Sequence, residues 1–265
     1  MKRRQFLAAS LATSAVAIVG NSVAAQAQTG SKREFYQIRR YNLMSGPQGK
    51  LTEDYIANAL IPTLGRMNIG PVGAFRLDIG PETPQFYLLI PGSSTDALAM
   101  LDLQLAKDEE FLKSAAPYWN ATAAAPAFQR IETSLLIAFE GWPKITPPAT
   151  AATKGKRIFQ LRTYESPSNF EHIRKVEMFH KGEFDYFQRA GCHPVFFGDT
   201  LIGPRMPCLT YMLSFADSAE LDAGWAKFRA DLDWKKLSAD PRYAFDPIVS
   251  NISNLVLSPL SCSQV

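Results

Sequence analysis

The chain is 265 residues long, with 28 Lys and Arg against 25 Asp and Glu, three cysteines and three histidines. So even a balance leaves no basic footprint for nucleic acid. Three cysteines cannot staple a small disulfide scaffold, and none has the Cys/His spacing of a structural metal site. With 46% hydrophobic residues, the composition is that of a globular chain of one large or two small domains.

The chain opens Met1-Lys2-Arg3-Arg4-Gln5-Phe6-Leu7, runs uncharged through Ala, Leu and Val to Ala25, and ends the run in small residues at Ala25-Gln26-Ala27. This layout predicts a cleaved signal over residues 1–27, and the Arg-Arg-x-Phe-Leu spacing predicts twin-arginine export to the periplasm or beyond. A retained membrane anchor is the competing reading, because the apolar run approaches spanning length, although Ser, Thr and Gly dilute it. After processing no stable membrane span is expected. Lys2, Arg3 and Arg4 leave with the signal and no acid does, so the remaining chain is neutral.

Beyond the signal the elements come in a fixed order. Apolar and polar residues alternate over 34–42, which predicts a strand. A helical stripe follows over 50–67, through Leu51, Tyr55, Ala59, Leu60, Leu64 and Met67. Strands at 72–79 and 85–91 flank a turn at Gly80-Pro81. A second helix starts after Ser93-Ser94, a good N-cap, and a closing strand runs from Thr133 to Phe139. Residues 142–155 are rich in Pro, Thr and Ala and read as a linker.

The same order then recurs. Strands are predicted at 157–165, 193–201 and 207–215, with a turn at Gly203-Pro204 and a closing strand from Ile252 to Leu257. A helix over 168–189 carries Phe170, Ile173, Val176, His180, Phe184 and Phe187 on one stripe, which predicts His180 at least half-buried. Another helix starts after Asp217-Ser218. Tyr36-Gln37-Ile38-Arg39-Arg40-Tyr41 matches Phe159-Gln160-Leu161-Arg162-Thr163-Tyr164 at an offset of 123, and Asp108, Phe111 and Lys113 match Asp231, Trp234 and Lys236. The predicted fold is α+β: two tandem ferredoxin-like βαββαβ units, at 33–141 and 156–260, forming an intrachain dimeric α/β barrel. Each unit alone would leave one sheet face open, and pairing closes it.

Phe159-Gln160-Leu161-Arg162-Thr163-Tyr164, together with Trp225, Asp231 and Trp234, resembles the F-x-L-R-x-Y opening and D-x-x-W region of NIPSNAP domains. The second half resembles that family over its whole length. The first is more divergent, with Arg40 for the Thr and Phe111 for the Trp. The resemblance implies a dimeric α/β barrel and little about activity. Because the second half keeps the family pattern, Arg162 is expected to matter more than Arg39.

If helices cover the apolar face of each first strand, then Gln37, Arg39 and Tyr41, with Gln160, Arg162 and Tyr164, face the barrel lumen. Such a row predicts a polar lumen where a guanidinium could hold a carboxylate, phosphate or enolate oxygen. A buried ion-pair network is the competing reading. Glu177 and Glu183 stand close enough along the helix to share a hydrogen bond or a metal with His180. No metal site and no cofactor is predicted, with a histidine-ligated haem conceivable because other barrels of this kind hold one. Cys192 and Cys208 fall on neighbouring strands, so a disulfide is possible, with free buried thiols the competing state. The aromatic group Tyr118, Trp119 and Phe128 is expected either to cover a barrel mouth or to be an irregular surface insertion. Two functions stay open: a non-enzymatic protein binding a small molecule or protein partner, or a cofactor-independent or haem-assisted oxygenase or isomerase. Homo-oligomerisation is also open.

Overall fold

The computed structural model describes residues 32–265, so the signal expected over 1–27 lies outside the described residues. The first half begins with β1 (Phe35–Asn42) and continues into α1 (Pro47–Tyr55), a π turn at Ile56–Leu60 and α2 (Ile61–Arg66). Pro47 takes the first helical position, where its missing N–H costs no hydrogen bond. Then come β2 (Gly73–Ile79), β3 (Gln85–Gly92), α3 (Thr95–Ala99), α4 (Leu101–Leu105), α5 (Glu109–Trp119) and β4 (Arg130–Ala138). The second half repeats the plan with β5 (Ile158–Glu165), α6 (Asn169–Met178), a π turn at Phe179–Glu183 and α7 (Phe184–Arg189). It ends with β6 (His193–Ile202), β7 (Cys208–Phe215), α8 (Ser218–Ala230), α9 (Leu232–Ser238), α10 (Phe245–Ile248) and β8 (Asn251–Pro259).

The repeat extends to details that periodicity does not show. The π turns sit at matching positions in the two halves, as do β1 with β5 and β3 with β7. In the second, Gly182 takes φ 143°, and a Cβ there would lie 2.5 Å from Cζ of Tyr186. The helix starts expected after the serine and aspartate pairs are capped: Ser94 Oγ accepts from the Ala97 N–H at 3.1 Å, and Asp217 Oδ1 from that of Glu220 at 3.0 Å. Asp108 and Asp231 cap the next helix of each half, accepting from Phe111 at 2.8 Å and Trp234 at 3.0 Å. Each also binds the arginine that ends the preceding helical rod, Arg66 at 3.1 Å and Arg189 at 2.8 Å. The D-x-x-aromatic match is therefore a helix cap tied to an ion pair.

Eight antiparallel strands close into a barrel in the order β1-β3-β2-β8-β5-β7-β6-β4. Each half supplies four adjacent strands, and the seams are β2 against β8 and β4 against β6. Closure removes every sheet edge. The barrel interior is apolar and packed: Tyr36, Phe75, Leu89, Leu136, Phe159, Leu161, Phe196 and Met212 are all buried in one cluster. Ile145 of the 142–155 segment and Val265 join it, beyond the starts of β1 and β5. Ile145 is held there as its N–H donates to Glu34 Oε2 at 2.8 Å.

This corrects the expected orientation of the first strands. The apolar side chains Tyr36, Ile38, Phe159 and Leu161 face inward, and the Gln-x-Arg-x-Tyr rows face the helices. Over most of its length the interior is filled by packed side chains and so takes the apolar face, with Arg40 and Thr163 only at its open end, whereas helices can offer carbonyls and carboxylates to the polar row. Tyr118, Trp119 and Phe128 likewise belong to the helix-side core of the first half. Tyr118 stacks on Tyr55 with ring centroids 3.9 Å apart. Among the described residues no helix is long and apolar enough to cross a membrane.

Candidate functional site

In the first half the Gln-x-Arg-x-Tyr row is closed over. Arg39 Nε donates to Gln37 Oε1 at 2.6 Å, and its Nη2 lies 2.8 Å from Asp102 Oδ1. Gln37 Nε2 in turn donates to the Leu98 carbonyl at 3.2 Å. Tyr41 is buried in one cluster with Tyr55, Phe111 and Tyr118. This half took the ion-paired form of the row.

In the second half the same row lines a cavity of about 560 Å³ between the sheet and the helices. Gln160, Arg162 and Tyr164 of β5 form its floor, Lys175, Glu183 and Phe187 one wall, and Asp222, Trp225, Phe228 and Arg229 the other. Among the described residues the Arg162 side chain makes no hydrogen bond and no ion pair, and its Nε is buried without a partner. Instead the guanidinium lies 4.2 Å from the Trp225 ring centroid and 5.2 Å from that of Tyr164. Position 225 is the repeat equivalent of 102. Where the first half places the carboxylate of Asp102, the second places an indole.

The rest of the lining is held in place by internal bonds. Trp225 Nε1 donates to Gln160 Oε1 at 2.7 Å, and the Tyr164 and Tyr211 hydroxyls are 2.9 Å apart. Lys175 Nζ is 2.5 Å from Glu183 Oε1, both side chains almost wholly buried. Burial pushes the Glu183 carboxyl up, against the pull of Lys175 and Arg162. Arg162, Lys175 and Arg229 outnumber Glu183 and Asp222, so the cavity carries an excess positive charge.

Lys175 was not singled out from the sequence, and Glu183 was noted there only as a partner for His180. The available signal was their position on the helix face opposite Phe170 and Ile173, which are 59% and 62% exposed. His180 is exposed too, correcting the expectation that it is half-buried. Its Nδ1 lies 2.9 Å from the Val176 carbonyl, and its Nε2 accepts from the Gly141 N–H at 3.2 Å. Glu177 binds Arg242 and Tyr243 instead of His180. The buried histidine is His172, whose Nε2 is 2.7 Å from Asp199 Oδ1. Since no histidine lines the cavity, its residues do not fit a histidine-ligated haem. Among the described residues no group of three or more His, Cys, Asp or Glu could hold a metal.

Cys192 and Cys208 are free and buried. They stand at opposite ends of the β6–β7 hairpin, where His193 pairs with Ser214 and Asp199 with Leu209, too far apart to bridge. Burial pushes the Cys192 thiol up to about 12.

The NIPSNAP family model matches residues 159–264. Those residues begin on β5 and contain the floor and both walls of the cavity. No curated protein sequence matches the chain. Among solved structures, a monooxygenase-like protein of Lactobacillus acidophilus NCFM superposes with a TM-score of 0.55 at 10% identity, over 86% of this chain and 94% of its own. One from Fusobacterium nucleatum gives 0.54 at 8%, over 87% and 94%, and an anthrone oxidase-like protein 0.51 at 10%, over 87% and 93%. These share the fold: the whole eight-stranded barrel, not one half, is the unit they have in common. A NIPSNAP-like protein of Burkholderia xenovorans, at 17% identity, covers 40% of this chain and 86% of its own with a TM-score of 0.35.

Proposed function

We propose that the chain is an exported protein of two tandem NIPSNAP-like units, 33–141 and 156–260 joined by 142–155, that binds a small carboxylate-bearing molecule in the helix-side cavity of its second unit. The Arg3-Arg4-x-Phe6-Leu7 start supports export by the twin-arginine route. The repeated strands, π turns and capped ion pairs support the tandem reading.

One observation carries the binding reading: Arg162 is unpaired where its counterpart Arg39 is paired with Asp102. A half-buried guanidinium without a carboxylate is stabilised when a ligand brings one, and bidentate pairing suits that geometry. The flat Trp225 ring and Phe187 and Phe228 favour an aromatic or otherwise planar body on the acid. Thermal shift on the full protein with benzoate and phenylacetate, against their uncharged amides, tests this. The acids raise Tm, the amides do not, and Arg162→Met removes the effect. Equal shifts from acids and amides, or an unchanged response in Arg162→Met, would sink the reading.

A second reading, a cofactor-independent oxygenase or isomerase, is favoured by the same wall. The Lys175–Glu183 pair and the Tyr164–Tyr211 hydroxyls put proton donors and acceptors beside the proposed carboxylate position.

A further inference from the structure

The opposite face of the same strands builds another cavity. At one end the barrel interior is filled, with Ile145 and Val265 packed into it. At the other end, beside the turns that carry Pro81 and Pro204, the interior opens into a cup of about 470 Å³. Its floor is apolar, made of Ile38 and its repeat equivalent Leu161, with Leu255 and the ring of Tyr87.

The walls come from both halves, and their chemistry differs. On the first-half side stand Arg40 and Glu132, ion-paired with each other. On the second-half side the repeat equivalents of Arg40 and Tyr87 are Thr163 and Thr210, whose hydroxyls are 2.9 Å apart. Two hydroxyls bonded to each other still leave one O–H and several lone pairs free. Arg205, at the rim, bonds Ser253 and lies 3.5 Å from Glu165. Each arginine of the cup therefore already faces an acid, and a charged ligand would lose hydration without finding an uncompensated partner. The helix-side cavity, with its unpaired Arg162, is the reverse case.

We infer that the open barrel end is a second binding site, for a neutral hydroxylated molecule with a flat hydrocarbon body. The body lies on Ile38, Leu161, Leu255 and Tyr87, and its hydroxyl meets Thr163 and Thr210. Size agrees, since sites for small organic ligands span about 300–1,000 Å³ and favour barrel mouths. This inference does not depend on the carboxylate reading, because neighbouring residues of β5 serve the two cavities from opposite faces: Arg162 the one, Thr163 the other.

Fluorescence titration of the full protein with 2-naphthol, and with 6-hydroxynaphthalene-2-sulfonate, tests it. Wild type binds 2-naphthol saturably, and Arg162→Met, whose helix-side cavity no longer offers a free guanidinium to an anion, binds the sulfonate at least about tenfold more weakly than 2-naphthol. Ser134 lines the cup on the first-half side; filling the cup from either half, by Thr163→Trp or Ser134→Phe, weakens 2-naphthol about tenfold or more, and Arg162→Met leaves it unchanged. Absent binding, equal binding of the sulfonate by Arg162→Met, a changed 2-naphthol affinity in Arg162→Met, or wild-type affinity in both folded filling variants overturns the inference. If either filling variant unfolds, amide shifts of wild type on adding 2-naphthol decide: movement at Thr163, Thr210 and Ser253 supports the cup, and movement confined to the Trp225 surroundings overturns it.

Discussion

Arg39 and Arg162 occupy the same place on the same kind of strand, and their neighbours give them opposite work. Arg39 is buried, with Gln37 and Asp102 as partners, whereas Arg162 has an aromatic ring and open space. Arg39→Met strands the buried Gln37 oxygen, a loss of about 1–3 kcal/mol, while Asp102, being largely exposed, regains water. Arg162→Met removes a side chain that makes no hydrogen bond or ion pair among the described residues, so its cost stays within about 1 kcal/mol. Urea unfolding of the two variants measures this ranking, and a larger stability loss for Arg162→Met would refute it. Sequence alone suggested that Arg162 matters more, and for ligand binding the proposed site agrees; for stability the order reverses. Nothing in Gln-x-Arg-x-Tyr reveals this difference. It lies at positions 102 and 225, brought onto the strand only by the fold, where a carboxylate in one half faces an indole in the other.

At the scale of elements, β1 and β5 were legible to within one residue because alternation survives in any strand. Which face points inward was not, since both faces of a barrel strand are covered and alternation has no preferred sign. The helical rod α6–α7 was misread for a different reason. A single 3.6-residue stripe through Phe170, Ile173 and His180 ignores the π turn at Phe179–Glu183, whose extra residue rotates the following face by about 100°. The face that packs instead carries His172, Lys175, Met178, Phe179 and Glu183, where Asp199 partners the His172 Nε2 and Lys175 and Glu183 pair with each other. The same rod is tied to the segment after α9 through Glu177. Hydrogen bonds from Arg242 and Tyr243 hold the Glu177 carboxyl down at about 2, from an ordinary 4.5. An acid whose folded pKa is depressed stabilises the fold above its unfolded value and loses that contribution as pH falls towards the folded one. The Tm gap between wild type and Glu177→Gln should therefore be widest above pH 4.5 and close towards pH 2, and it should shrink with added salt because the pair is half-exposed. Calorimetry across that range checks it; a gap that widens on acidification would show the sign to be wrong.

On the scale of the whole molecule, the duplicated order of elements was readable, and the reason for it lies in the seams. Each half is a four-stranded sheet with β2 and β4, or β6 and β8, at its edges, and every one of those edges is paired across to the other half. The shared interior cluster draws Tyr36, Phe75 and Leu136 from one half and Phe159, Phe196 and Met212 from the other. A half on its own would present two bare strand edges and an apolar sheet face, the combination that drives self-association. Residues 32–155 and 156–265 produced separately should thus fail to persist as folded monomers, each aggregating or pairing with a second copy of itself. Produced together, they should recover one barrel, because the seams need contact between the halves and not a continuous chain. Ile145 makes the position of the cut matter. It packs into the interior from within the 142–155 segment, so the first half must retain it. Light scattering and thermal unfolding of the separate and combined halves decide the matter: a stable, cooperatively melting monomer of either half would show that the barrel is two self-sufficient domains, and failure of the pair to recombine would show that the 142–155 segment holds the seams together.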